Sequence, residues 1–150
     1  MEIQKDFKEF FALFNAHKVE YVIVGGYALA FHGAPRYTGD IDVLVRAEDA
    51  NAQKILAALS DFGFSELDLS VNDFSDPDRV LQLGMPPVRI DILTSLTGIT
   101  WQEATTDTLD LDYGGVPVKV VGREALLTNK RATGRAQDLA DIEALEGPPD

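Results

Sequence analysis

The stretch Val22-Ile23-Val24-Gly25-Gly26-Tyr27-Ala28-Leu29-Ala30-Phe31-His32-Gly33-Ala34-Pro35-Arg36-Tyr37-Thr38-Gly39-Asp40-Ile41-Asp42-Val43-Leu44-Val45 decides how the chain is read. Val22 to Val24 predict a short buried strand. Gly25 and Gly26 make a turn at its end, Tyr27 to His32 a short helix, Gly33 to Gly39 a loop, and Asp40 to Val45 a second strand. Paired glycines ahead of a helix let backbone N–H groups meet an anion at close range, because no side chain stands in the way. Alternation along a strand sends Asp40 and Asp42 out of one face, roughly 6–7 Å apart at the backbone, with Ile41 and Val43 on the other. A phosphate cradle beside two convergent carboxylates suits metal-assisted phosphoryl chemistry. The cation takes hard oxygen ligands, and the phosphates take donors.

Asp-x-Asp alone is a weak signal in an acidic chain, and a solvated strand edge accounts for it equally well. The spacing recurs at Asp76-Pro77-Asp78, which proline makes a loop, and at Asp110-Leu111-Asp112, which reads as a hairpin arm before Gly114-Gly115. Only Asp40 and Asp42 follow a strand, Gly-Gly and a helix. In the intervening loop, Pro35 stiffens the chain and Gly33 and Gly39 hinge it. That placement lets Arg36 and Thr38 reach a bound triphosphate, and the guanidinium fork matches phosphate oxygens. Arg36 as a counter-charge to the nearby aspartates is the alternative.

Gly25-Gly26, thirteen residues, then Asp40-Ile41-Asp42-Val43 resembles the signature of the nucleotidyltransferase superfamily, the DNA polymerase beta-like fold. The stretch from Gly25 to Val45, with the later Asn129-Lys130 and Arg135-x-x-Asp138-Leu139-x-Asp141, is similar to the bacterial AbiEii-like branch. That branch includes toxins of type IV toxin–antitoxin systems. The resemblance runs from about Tyr21 to Leu145. Many members carry Gly-Ser where this chain has Gly25-Gly26, so a serine hydroxyl contact to phosphate is missing here.

The resemblance implies an α/β (α+β) fold: a mixed β-sheet flanked by helices. It implies Mg²⁺-dependent transfer of a nucleoside monophosphate from a nucleoside triphosphate to an acceptor hydroxyl, with Asp40 and Asp42 holding two Mg²⁺ ions (or Mn²⁺). The superfamily places a third carboxylate on a later strand beside Asp-x-Asp, and Asp91 in Val88-Arg89-Ile90-Asp91-Ile92-Leu93 matches it. A charge inside such an apolar strand is unusual unless it faces a site, although an Asp91–Arg89 surface pair also explains it. The resemblance further implies that Lys130 reaches the nucleotide phosphates and that Asp138 orients Lys130 or the base. An Asp138–Lys130 or Asp138–Arg135 bridge between helices remains open. The acceptor expected from this chemistry is an RNA end such as that of a tRNA, or a partner protein, with a small antibiotic-type molecule as the alternative; an antitoxin or a homodimer is the expected partner. A catalytically silent binding or regulatory module with the same fold is the alternative of a different class.

Composition narrows the rest. The chain has 150 residues and a formal charge of −12, which opposes broad, non-specific binding to nucleic acid or membrane surfaces. It has no cysteine, which excludes thiolate metal sites and suits a reducing cytoplasm. Met1 to Asp6 lack the pattern of a signal peptide, and no apolar run approaches the ~20 residues of a membrane span. A single domain over 1–146 with a frayed tail at 147–150 is expected.

Elsewhere, Ile3, Phe7, Phe10, Phe11 and Phe14 recur at helical spacing, predicting an amphipathic helix over Glu2 to Ala16. Glu48 to Phe62 predict a helix ended by Gly63, Phe64 to Val71 a strand, and Asn72 to Asp78 a polar loop. Arg79 to Leu83 and Val88 to Leu93 predict two strands. Trp101 to Ala104 predict a helical turn, and Thr108 to Tyr113 with Val116 to Val121 a hairpin. Arg123 to Ala132 and Gln137 to Leu145 predict two helices, with Leu139, Ile142 and Leu145 turned to the core. His32 reads as a packing or capping residue.

Overall fold

The computed structural model describes residues 4–34, 40–64, 67–85 and 88–147. The chain runs α1 (Lys5–Ala16), β1 (Tyr21–Val24), α2 (Gly25–Phe31), β2 (Asp40–Val45), α3 (Asp49–Leu59), a π-type turn at Ser60–Phe64, and α4 (Asn72–Ser75). It continues through β3 (Val80–Met85), β4 (Val88–Leu93), α5 (Trp101–Ala104), β5 (Leu109–Tyr113), β6 (Val116–Val120), α6 (Arg123–Thr133) and α7 (Ala136–Glu146). The strands form one mixed sheet in the order β3-β4-β2-β1-β6-β5. β2 pairs antiparallel with β1 and parallel with β4, so its two acidic positions lie in the interior of the sheet rather than at an edge.

The aromatic stripe of α1 is core. Phe7, Phe10, Phe11 and Phe14 are buried, and their rings meet Tyr21, Tyr27 and Tyr113 from β1, α2 and β5. Full burial of such a side chain is worth ~1.5–3 kcal/mol, so these rings tie α1 to β1, α2 and β5. Ile41 and Val43 of β2 and Ile90 and Ile92 of β4 are buried. Their alternation leaves Asp40, Asp42, Arg89 and Asp91 on the opposite face.

Three elements differ from the sequence-based expectation. Gly25 and Gly26 are not a separate turn: α2 begins at Gly25, directly after β1. Phe64 to Val71 do not form a strand where described; Phe64 closes the π-type turn, in which Gly63 has φ +106. The segment after it holds α4 instead of an unstructured loop, anchored by fully buried Phe74. The apolar residues near Phe64 thus mark packing under α3 rather than ladder pairing.

Helix α7 departs more informatively. Leu139 is 57% exposed, while Asp138 and Asp141 are buried. The helix turns its carboxylates inward because α6 supplies Lys130, itself buried, as a counter-charge. Burying charge is tolerated only when it is paired and hydrogen-bonded, and hydrophobic periodicity carries no information on that pairing.

Candidate active site

The site begins where β1 passes into α2. Gly25 has φ +69, a region that L side chains rarely adopt. A Cβ on Gly25 would also collide with the carboxylate of Asp42. Glycine is therefore required here twice, for the backbone angle and for the approach of the turn to the acid on the neighbouring strand. Val24, the last residue of β1, stands opposite Asp42 in the ladder.

Across the other edge of β2, Asp42 stands opposite Asp91 and Asp40 opposite Arg89. All four side chains leave the same face, so β2 and β4 together present a square of three acids and one guanidinium. Arg89 donates from Nε to Asp91 Oδ1 at 3.1 Å and from Nη2 to Asp91 Oδ2 at 3.2 Å. The same Nη2 donates to Asp40 Oδ2 at 2.5 Å. Asp91 is 8% exposed. Asp91 thus pairs with Arg89, on the face of the sheet that also carries Asp40 and Asp42.

Crowding has an electrostatic consequence. The Asp42 carboxyl is pushed up to about 7, first by burial, then by the charge of Asp91 and a hydrogen bond with it, and then by the charge of Asp40; Lys130 opposes the shift. The donor set is carboxylate oxygen only, which is what Mg²⁺ or Mn²⁺ prefers. A divalent cation between acids so crowded relieves the repulsion that burdens Asp42. Among the described residues, no three acidic or histidine side chains are drawn close enough to form a metal cluster by themselves. The positive charge that Asp40 and Asp91 share in this structure is Arg89.

A second charged cluster lies between α6 and α7. Lys130 Nζ donates to Asp141 Oδ2 at 2.9 Å and to Asp138 Oδ1 at 3.4 Å. Asp138 also accepts from Arg135 Nε at 2.8 Å, from Thr133 Oγ1 at 2.7 Å and from the Arg135 backbone N–H at 3.1 Å. These bonds, the Arg135 side chain foremost, hold Asp138 well below the usual carboxylate range. Gln137 Nε2 donates to Asp141 Oδ1 at 3.0 Å. Both helix-pairing bridges left open by the sequence therefore exist. Lys130 is held between two buried carboxylates, and its charge reaches Asp42 from there.

Between the two clusters opens a cavity of about 370 Å³ lined by Asp42, Val24, Asp78, Arg79, Leu96, Asn129, Thr133 and Arg135, among others. A larger cavity, about 500 Å³, surrounds Tyr21, Trp101 and Lys119 and contains none of the candidate residues. Arg36 and Thr38 lie outside the described residues. His32 caps α2 and its Nε2 lies 2.7 Å from the Val121 carbonyl oxygen, consistent with packing. Sequence reasoning missed Arg79 as a cavity residue, since it belongs to no motif, and gave Asn129 of the Asn129-Lys130 motif no place in the cavity. It also missed the reach of Arg89 to Asp40; only the ladder register, not the sequence, puts those two side by side.

Residues 1–146 match the family described as "Nucleotidyltransferase of unknown function (DUF6036)". The chain belongs to this nucleotidyltransferase family. The match supports the superfamily and does not single out the AbiEii-like branch. Among solved structures, the Thermotoga maritima protein TM1012 aligns at 15% identity and a TM-score of 0.62, over 91% of this chain and 88% of its own. ANT(2'')-Ia in complex with adenylyl-2''-tobramycin aligns at 12% identity and a TM-score of 0.58, over 93% and 84%. The lincosamide antibiotic adenylyltransferase LnuA, lincomycin-bound, aligns at 16% identity and a TM-score of 0.55, over 98% and 99%. At these identities the likeness is one of fold. No curated protein matches the sequence.

Proposed function

We propose that this nucleotidyltransferase moves a nucleoside monophosphate from a nucleoside triphosphate to an acceptor hydroxyl in a divalent-metal-dependent reaction centred on Asp40, Asp42 and Asp91. The observation that carries the reading is the placement of Asp42 opposite Asp91 on adjacent parallel strands, with the Asp42 carboxyl raised by burial and then by its acidic neighbours. Carboxyls perturbed in this way cluster at functional sites. Asp40, Asp42 and Asp91 would hold Mg²⁺. The bound ion would polarise the reacting phosphoryl group and lower the pKa of the acceptor hydroxyl.

The remaining steps belong to side chains of this chain. The cavity beside Asp42 takes the nucleotide, and the Gly25 and Gly26 backbone, Arg36 and Thr38 are the proposed phosphate donors. Lys130 acts from behind Asp42 as a buried positive charge, held in place by Asp138 and Asp141. Asp91 accepts the acceptor's proton as the hydroxyl attacks the α-phosphorus in line, and the bond to the β-phosphate breaks to release pyrophosphate. A small-molecule acceptor is favoured by one observation: this chain aligns over nearly the whole length of LnuA, whose structure holds lincomycin, so no appended acceptor domain is needed on this fold. The charge of −12 argues against a polyanionic acceptor such as tRNA.

Incubation with α-³²P-labelled nucleoside triphosphates and Mg²⁺, in the presence of size-fractionated cell extract, tests this. Transfer of label to the small-molecule fraction, abolished by EDTA and by Asp42→Asn, is the expected result. Label on RNA or protein would overturn the acceptor assignment. Absence of transfer to any fraction with all four triphosphates would count against the reaction itself.

A further inference from the structure

Arg89 makes three of the hydrogen bonds that organise the acidic face, yet the reaction above assigns it no part. Its fork lies side-on to Asp91 and touches both carboxylate oxygens at 3.1 and 3.2 Å. The remaining reach of Nη2 is spent on Asp40, one strand away. Arg89 therefore bridges the first and third acids of the trio, the two that flank Asp42. The backbone of β4 cannot shift to change this, since β4 is paired on both sides, to β2 and to β3. The side chain can. It is 28% exposed, and a guanidinium on a three-carbon stem moves by rotamer change alone.

We propose that Arg89 is a resident counter-cation of the site, released from Asp40 and Asp91 only when divalent metal and triphosphate enter together, so that it couples the binding of the two. The inference rests on the metal-and-triphosphate reading above. A bare divalent ion competing for Asp40 and Asp91 must displace the guanidinium and then sit beside it, two positive charges within a few ångströms at a half-buried place. The displaced fork has also lost its only partners in this square and gains nothing in exchange. A triphosphate changes both terms. It brings negative charge that screens the metal from Arg89, and it offers phosphate oxygens that the fork can take bidentately. Metal alone is thus held weakly, and the metal–nucleotide complex is held well.

The test compares wild type, Arg89→Gln and Arg89→Lys in two measurements. The first is the affinity for Mn²⁺ alone, read by electron paramagnetic resonance. The second is the affinity for the Mg²⁺ complex of whichever α,β-methylene nucleoside triphosphate analogue the wild type binds, read by calorimetry. Arg89→Gln is expected to bind Mn²⁺ alone roughly 10-fold more tightly and the Mg²⁺–analogue complex roughly 10-fold more weakly, about one ion pair in each direction. The two shifts have opposite signs, whereas a merely structural arginine would weaken both or neither. Arg89→Lys keeps the charge and loses the fork, so it should leave Mn²⁺ affinity near the wild-type value and still weaken the analogue; it carries the test if Arg89→Gln does not fold. Metal affinity that is unchanged or reduced in Arg89→Gln, or an unweakened analogue in Arg89→Lys, overturns the role of Arg89 while leaving the metal site standing. A wild type that binds neither Mn²⁺ nor any analogue overturns the metal-and-triphosphate reading itself, and this inference with it.

Discussion

Asp42 of β2 and Asp91 of β4 are ladder partners on parallel strands, with both carboxyls on one face of the sheet. Like charges directly opposite one another destabilise a sheet. Here the repulsion is accommodated in two ways: Arg89 neutralises Asp91 from the side, and Asp42 retains its proton to a higher pH than usual.

That second response makes stability fall with pH in metal-free buffer. The folded-state value for Asp42 is about 7 against an ordinary 3.8, so between those values the folded state holds a proton that the unfolded chain has released. Stability is complete below the lower value and declines as pH rises to the upper one. Asp42→Asn removes the titration. It is expected to raise the melting temperature in EDTA at pH 8, with the advantage shrinking as pH falls from about 7 towards 4. Thermal unfolding across that range checks it, and an advantage independent of pH would mean that Asp42 is not raised.

Asp91 separates binding from chemistry. Asp91→Asn keeps the shape and cannot take the acceptor's proton. Transfer should fall at least ~100-fold, the lower end of a general-base contribution, while most Mg²⁺–nucleotide affinity remains. Asp40→Asn and Asp42→Asn should lose both. Calorimetry beside single-turnover transfer distinguishes them, and wild-type transfer by Asp91→Asn would remove it from the mechanism.

Gly25 has no tolerance for a side chain. Alanine there must adopt φ +69 and push into Asp42. Gly25→Ala should lower stability by ~1–3 kcal/mol, in the range of local backbone strain, and should abolish transfer because the displaced carboxylate is one of the proposed ligands. Urea unfolding with a parallel transfer assay reads both. A stable, active Gly25→Ala would show that β1 and β2 can separate here at no cost.

Lys130 tests the buried cluster. Removing it leaves Asp138 and Asp141 without the cation that α6 supplies, though Arg135 and Gln137 still reach them. Breaking a buried pair typically costs ~3–5 kcal/mol, so Lys130→Ala should destabilise the fold by about that much at pH 7. Lys130→Ala together with Asp141→Ala should recover part of the loss. Chemical denaturation of the single and double variants forms the cycle, and additive losses would show that Lys130 and Asp141 are not coupled.

Much of this protein is determined locally. Helical spacing of phenylalanines makes α1, alternation makes β2 and β4, and glycine pairs mark the start of α2 and the β5–β6 turn, because each depends on residues a few positions apart. The motif Gly25-Gly26 with Asp40 and Asp42 is legible for the same reason, as is the face that Asp91 shares with Arg89. Tertiary structure alone decided the rest. Pairing β2 with β4 in one register set Asp42 against Asp91 and brought Arg89 to Asp40, contacts between residues 49 apart in the chain. Packing of α7 on α6 turned Asp138 and Asp141 inward and Leu139 outward, against the pattern of apolar spacing. Periodicity reports where a side chain would prefer to be if it acted alone, whereas the burial of a charge depends on a partner that the fold must deliver.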